Sequence, residues 1–128
     1  MPAPWPCAMS DKRVAAEQAG RKGEDLAAHW LERQGWTVLG RRLRAGVGEV
    51  DLVVRRDAVV AFVEVKWRER AAELDLAIDE RRLRRVAAAA EVLAPRFVAD
   101  GDDMRVDVVL LAPGHWPRHI VNAWMPLG

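Results

Sequence analysis

Apolar residues recur along this chain at two spacings, one helical and one alternating. From a cap at Ser10 or Asp11, Ala16, Ala19, Gly23, Ala27, Trp30 and Leu31 form a single stripe that runs toward Gln34, and Gly35 stops the helix. Gly20 and Gly23 lie inside it, where each costs about 1 kcal/mol relative to Ala; close packing against another backbone would explain them, and a break or late start of the helix is the alternative. A second stripe, Leu83, Val86, Ala87, Ala90 and Leu93, predicts a helix capped near Asp79 and stopped by Pro95.

Between the helices, residues 36–44, 48–55 and 58–67 read as strands. They are joined by short loops at Ala45-Gly46-Val47 and Arg56-Asp57, which implies an antiparallel meander. In the third strand Val59, Ala61, Val63 and Val65 fill one face. Val60 and Phe62 begin the other, before Glu64 and Lys66 replace them, so this is a buried central strand that ends in charge. The second helix is long enough to cross over to a strand at 105–111, and a last short strand at 119–124 follows the Pro113-Gly114 turn. The expected order is αβββαββ, an α/β fold.

Composition narrows this further. With 128 residues, 51% of them hydrophobic, the chain can bury one core, so a single domain is expected over 11–128. The first ten residues, with Pro2, Pro4 and Pro6, read as a disordered extension, neither signal peptide nor membrane anchor. Cys7 is the single cysteine, which excludes an internal disulfide and fits a cytoplasmic protein. His29, His115 and His119 have no metal-ligand spacing, and Asp107, between Val106 and Val108, suggests no chemistry. Six tryptophans invite a base-stacking role, yet Trp30 and Trp36 fit core positions better, leaving Trp67 beside the charged strand end. The net charge is only +1 although 30% of residues are charged, so any polyanion site must be local.

Charge is concentrated where the meander closes. If Arg56-Asp57 is a two-residue turn, Asp51 faces Phe62 and Glu49 faces Glu64. Glu49, Asp51, Glu64 and Lys66 then share a sheet face, with Asp51 diagonal to Glu64 at about 7 Å. The same register puts Val50, Leu52, Val63 and Val65 on the opposite face, beneath a helix. Asp51 and Glu64 could hold Mg²⁺ or Mn²⁺, with the Val65 carbonyl as a further ligand, and Lys66 could position or deprotonate an attacking water. Glu24 lies on the apolar side of the first helix and needs a partner: a metal, Lys66 or an arginine. Glu64 and Lys66 alone would also suit a surface ion pair; convergence of several carboxylates argues for a site able to hydrolyse phosphodiesters. Arg44, Arg68, Arg82 and Arg85, with Arg41, Arg42, Arg70, Arg81 and Arg84, could line a phosphate track or simply be solvated.

At these residues the chain resembles the YraN family of endonuclease-like proteins, within the PD-(D/E)xK restriction-endonuclease-like superfamily. The resemblance rests on Gly20-Arg-Lys-Gly23-Glu24-Asp-Leu-Ala27, Gly48-Glu49-Val-Asp51-Leu-Val, and Phe62-Val-Glu64-Val-Lys66-Trp-Arg68, with Arg105-Val-Asp107-Val-Val and His119-Ile-Val-Asn122-Ala as closing strands. It implies a Holliday-junction-resolvase-like αβββαβ core, a central mixed sheet flanked by helices. Glu24, Asp51, Glu64 and Lys66 fall on the superfamily's acidic and lysine motif, and the partner implied is nucleic acid, DNA in particular, cut by a Mg²⁺ or Mn²⁺ enzyme that, like resolvases, could act as a homodimer. The sequence departs from the family pattern at Arg42, where Asn is common, at Trp67, where Thr is common, and at Arg82, where Lys is frequent. Two other readings stand beside the nuclease: a non-catalytic nucleic-acid-binding or adaptor protein, which the near-neutral charge suits, and an interaction module whose ion pairs imitate a site.

Overall fold

A computed structural model describes residues 12–70 and 79–124, with side chains from Gly23 onward in the first helix. The extension at 1–10, the Ser10 or Asp11 cap and the side chains of Ala16, Ala19 and Gly20 lie outside the described residues. Helix α1 spans Lys12–Arg33, followed by β1 (Thr37–Ala45), β2 (Gly48–Arg56) and β3 (Val59–Trp67). Helix α2 spans Glu80–Phe97 and leads to β4 (Asp103–Leu111) and β5 (Arg118–Ile120). The expected α/β class and element order hold.

The strands lie in the order β1-β2-β3-β4-β5. The meander is antiparallel, β3 and β4 are parallel, and β4 and β5 are again antiparallel. A parallel neighbour requires a crossover, and α2 supplies it. Each helix covers one face of this mixed sheet. Ala27, Ala28 and Leu31 of α1 pack with Trp36, Leu52, Val54, Ala61, Val63, Val109 and Leu111. On the other face Leu83, Val86, Ala89, Ala90 and Leu93 of α2 pack with Val53, Val60, Phe62, Val106, Val108 and Leu110. Strand β3, hydrogen-bonded on both edges and covered on both faces, is the centre of the molecule.

Local chemistry accounts for the end of α1 and the start of α2. Gly35, at φ +95°, closes α1: its N–H reaches the Glu32 carbonyl and the Trp36 N–H reaches that of Leu31, the paired bonds of a Schellman stop. Asp79 caps α2, its carboxylate accepting the Arg81 N–H at 2.9 Å. Gly48 is needed for close approach, since a Cβ there would stand 2.9 Å from the Arg85 carbonyl oxygen of α2. Gly23 is not: an added Cβ would meet Leu111 and Trp67 at 3.6 and 3.8 Å, ordinary contact, so tight packing does not explain this glycine.

Four expectations are corrected. The hairpin turn is one residue later, so Arg56 pairs with Val59 and Leu52 with Val63. Pairing numbers shift by two, an even slip that by itself moves no side chain to the other face. Val50, however, packs with the α2 core and not beneath α1 with Leu52 and Val63. Alternation breaks at Asp51, and on β1 at Arg42, which lies between the pairs Arg41–Leu52 and Leu43–Val50 and holds φ +50°. Pro95 does not stop α2; it sits in the last turn, where its missing N–H forfeits one bond, and Val98 N–H still reaches the Ala94 carbonyl at 2.8 Å. Strand β5 ends at Ile120, not Trp124, because Asn122 adopts φ +54° and turns its N–H onto Asp107.

Candidate active site

The β2–β3 ladder runs only as far as Leu52 and Val63, and the acidic residues begin where it stops. One residue further, the Asp51 carboxylate accepts the Val65 N–H at 2.8 Å, replacing a strand partner with a side chain. Glu64 follows Phe62 on the face covered by α2 and is 1% exposed. Its Oε1 receives Lys66 Nζ from the same strand and Arg82 Nε from the first turn of α2, each at 3.2 Å. Its Oε2 is buried with no hydrogen-bond partner. A buried carboxylate oxygen in that state is rare, because its desolvation goes uncompensated.

Asp51 feels Glu64 directly. Burial first, and the Glu64 charge next, push the Asp51 carboxyl up to about 7 from its ordinary 3.8, against the pull of the Val65 hydrogen bond. Glu24 adds to the negative potential at Asp51, but its own carboxylate is tied to Arg42 Nε at 2.8 Å. The structure thus brings Asp51, Glu64 and Lys66 together, with Glu24 held at the edge by an arginine. Among the described residues no three His, Cys, Asp or Glu side chains stand close enough to form an all-protein metal cage. Two carboxylates, one with a bare oxygen, fit instead a hard cation such as Mg²⁺ or Mn²⁺ that keeps several waters. The Val65 N–H is engaged by Asp51, so that residue already links the two acids through its backbone.

The basic candidates separate. Arg44, Arg82 and Arg85 line one cavity of about 450 Å³ with Val86 and the corner Gly46, Val47, Gly48 and Glu49. Arg68 is elsewhere, its Nη1 bonded to the Trp67 carbonyl at 2.7 Å and its N–H to that of Leu111. Arg84 pairs with Glu80 along α2.

A second buried carboxylate escaped sequence reasoning. Asp107, fully buried on the α1 face, accepts Arg105 Nη2 at 2.9 Å and His119 Nε2 at 2.8 Å on Oδ2, and the Asn122 N–H at 2.8 Å on Oδ1. Burial alone would raise its pKa; these bonds outweigh it and hold the carboxyl below its ordinary value. The His119 ring meets Trp30 and Trp36 edge-on at 6.0 and 6.1 Å between centroids. The available signal was an aspartate interrupting an apolar strand, which must find donors wherever the fold supplies them.

The family model described as "Uncharacterised protein family UPF0102" matches residues 23–111, from the glycine before Glu24 to the end of β4. The chain belongs to the UPF0102 family. This is the YraN group that its motifs resemble. A UPF0102 protein of Sphingopyxis alaskensis is 64% identical over 89% of this chain and 98% of its own length. One from Erythrobacter litoralis is 59% identical over 90% and 99%, and one from Rhizorhabdus wittichii 52% identical over 89% and 97%. The UPF0102 match takes in Glu24, Asp51, Glu64, Lys66, the cavity arginines and Asp107, and stops short of His119. No helix among the described residues is long and apolar enough to cross a membrane.

Proposed function

We propose that this chain is a cytoplasmic Mg²⁺- or Mn²⁺-dependent nuclease that hydrolyses phosphodiester bonds in branched or otherwise structured DNA. The observation that supports this reading most is Glu64, a carboxylate buried at the end of an apolar strand with one oxygen unpartnered, beside a second acid it repels. A buried carboxylate oxygen so placed calls for an ion, a water or another donor to relieve it, and beside a second acid a cation does so best. Asp51 and Glu64 would hold the cation, which when bound supplies Lewis acidity and a more acidic water. Lys66, 17% exposed and two residues along β3 from Glu64, would orient the attacking water or stabilise negative charge building on the phosphoryl oxygens. Val60 and Phe62, fully buried on the α2 side of β3, would keep the far side of the site dry.

The test is incubation of the purified protein with branched, flapped, nicked and linear DNAs in Mg²⁺ and in Mn²⁺, beside an Asp51→Asn control. Cleavage by the wild type and none by the control is expected; no cleavage of any substrate sinks the enzyme reading. A second reading has an observation of its own. Lys66 and Arg82 already neutralise Glu64 Oε1, so the same residues suit a non-catalytic nucleic-acid-binding protein, recognised in the same assay by DNA retention without cutting.

A further inference from the structure

Arg82 belongs to two places at once. Its Nε contacts Glu64 Oε1 at 3.2 Å, yet its side chain is 48% exposed and forms part of the wall of the cavity shared with Arg44 and Arg85. The one carboxylate in that wall, Glu49, stands 4.0 Å from Arg44 Nε, the outer limit of an ion pair, so the cavity carries an excess of positive charge. At about 450 Å³ it has room for a nucleotide-sized group and not only for a bare ion.

We propose that this cavity takes a backbone phosphate of a nucleic acid, and that Arg82 couples its occupancy to the acidic site by leaving Glu64 for the phosphate. The proposal rests on the metal-dependent reading above and adds a regulation of that site. With Arg82 and Lys66 both on Oε1, a divalent cation brought to Glu64 meets two positive charges within a few ångströms in a poorly solvated site, where repulsion is strong. A phosphate in the cavity offers Arg82 a bidentate partner that one shared carboxylate oxygen is not. Its departure removes a competing charge from Glu64 and leaves Lys66 in place. Cation and polyanion therefore bind with positive cooperativity, and the site loads metal on substrate and stays closed as an ion triad without it. Linkage makes the effect reciprocal.

Calorimetric titration of Mn²⁺ into the full chain tests this, alone, with excess sulfate, and with a short DNA duplex whose own Mn²⁺ uptake is subtracted. The duplex should tighten Mn²⁺ binding about fivefold or more, and sulfate less. Arg82→Gln should bind Mn²⁺ about fivefold more tightly than wild type without any anion and gain little from DNA. Arg85→Ala lines the cavity without a bond to Glu64, so it tests the anion half even if Arg82→Gln does not fold: Mn²⁺ affinity alone unchanged, the gain from DNA reduced. Equal Mn²⁺ affinity and equal DNA response in wild type and Arg82→Gln overturn the coupling while leaving the nuclease reading intact. Mn²⁺ binding that is absent, or that survives Asp51→Asn, overturns both. A full effect from sulfate overturns the assignment to nucleic acid.

Discussion

Two carboxylates are buried among the described residues, one on each face of the sheet, and the protein treats them oppositely. Asp107 on β4 lies opposite Val63 on β3, one residue from Glu64, so the two acids are neighbours separated by the sheet itself. Asp107 has donors on both oxygens, from β4, β5 and the turn after it, and the outcome is a clasp that holds the short β5 to the sheet. Its own leftover, the buried Arg105 Nε, belongs to a guanidinium whose carbon is 5.4 Å from the Trp36 ring centroid, which offers it a cation–π contact. Glu64 has two cations crowded on one oxygen and nothing on the other. The completed network uses its charge for structure, whereas the incomplete one leaves an oxygen that the proposed metal site would use.

The sharpest way to break this contrast is to neutralise each acid in turn. Asp107→Asn presents an amide N–H₂ to donors that need an acceptor, so it should cost about 3 to 5 kcal/mol in denaturant unfolding while leaving the response to Mn²⁺ unchanged in kind. Glu64→Gln should cost less, since it relieves repulsion with Asp51 while Lys66 and Arg82 are part-exposed and can turn to solvent. Equal costs would mean that both carboxylates are structural. Added metal should raise wild-type stability by about 2.7 kcal/mol at a hundredfold excess over the dissociation constant, and Asp51→Asn should abolish that gain. Persistence of the gain in Asp51→Asn would move the cation elsewhere.

The two faces should also respond to pH with opposite sign. Asp107 titrates below its unfolded value, so its contribution is present above about pH 4 and is lost as pH falls through the folded value. Asp51 is raised to about 7, so the folded state holds a proton that the unfolded chain has released, and metal-free stability should decline as pH rises from about 4 to about 7 and then level off. Unfolding of Asp51→Asn across that range should lose the neutral decline and keep the acid limb.

Smaller effects come from residues common to both regions. Val63→Ala, between Asp107 and Glu64 and fully buried, should cost about 1 to 3 kcal/mol without altering metal response. Gly23→Ala, where a methyl finds ordinary contact beneath Trp67, should stabilise by about 1 kcal/mol in a thermal melt. A loss instead would show that α1 must approach β3 more closely than these contacts indicate.

Much of this arrangement was legible in the order of residues. Periodicity placed both helices, short loops made the first strands an antiparallel meander, and an apolar run ending in Glu64 and Lys66 marked β3 as central. The predicted face of Glu64, shared with Phe62, survived a misplaced turn because side chains alternate with a period of two, so a slip of two in pairing is invisible to it. The break at Arg42 and Asp51 was not legible, since a positive φ at an arginine is unfavourable locally and is held by surrounding contacts such as the Glu24 pair.

The sequence by itself determined which stretches could bury a face and that Glu64 would be drawn inward at the end of one, because those follow from local spacing and the cost of exposing apolar surface. Only the tertiary structure decided which acid would be satisfied. Asp107 meets His119 across 12 positions through the β4–β5 pairing, and Glu64 meets Arg82 through the crossover helix. Hydrogen bonds reach about 3 Å, and whether a donor stands within that distance of a buried oxygen depends on how the elements pack, which no local pattern encodes.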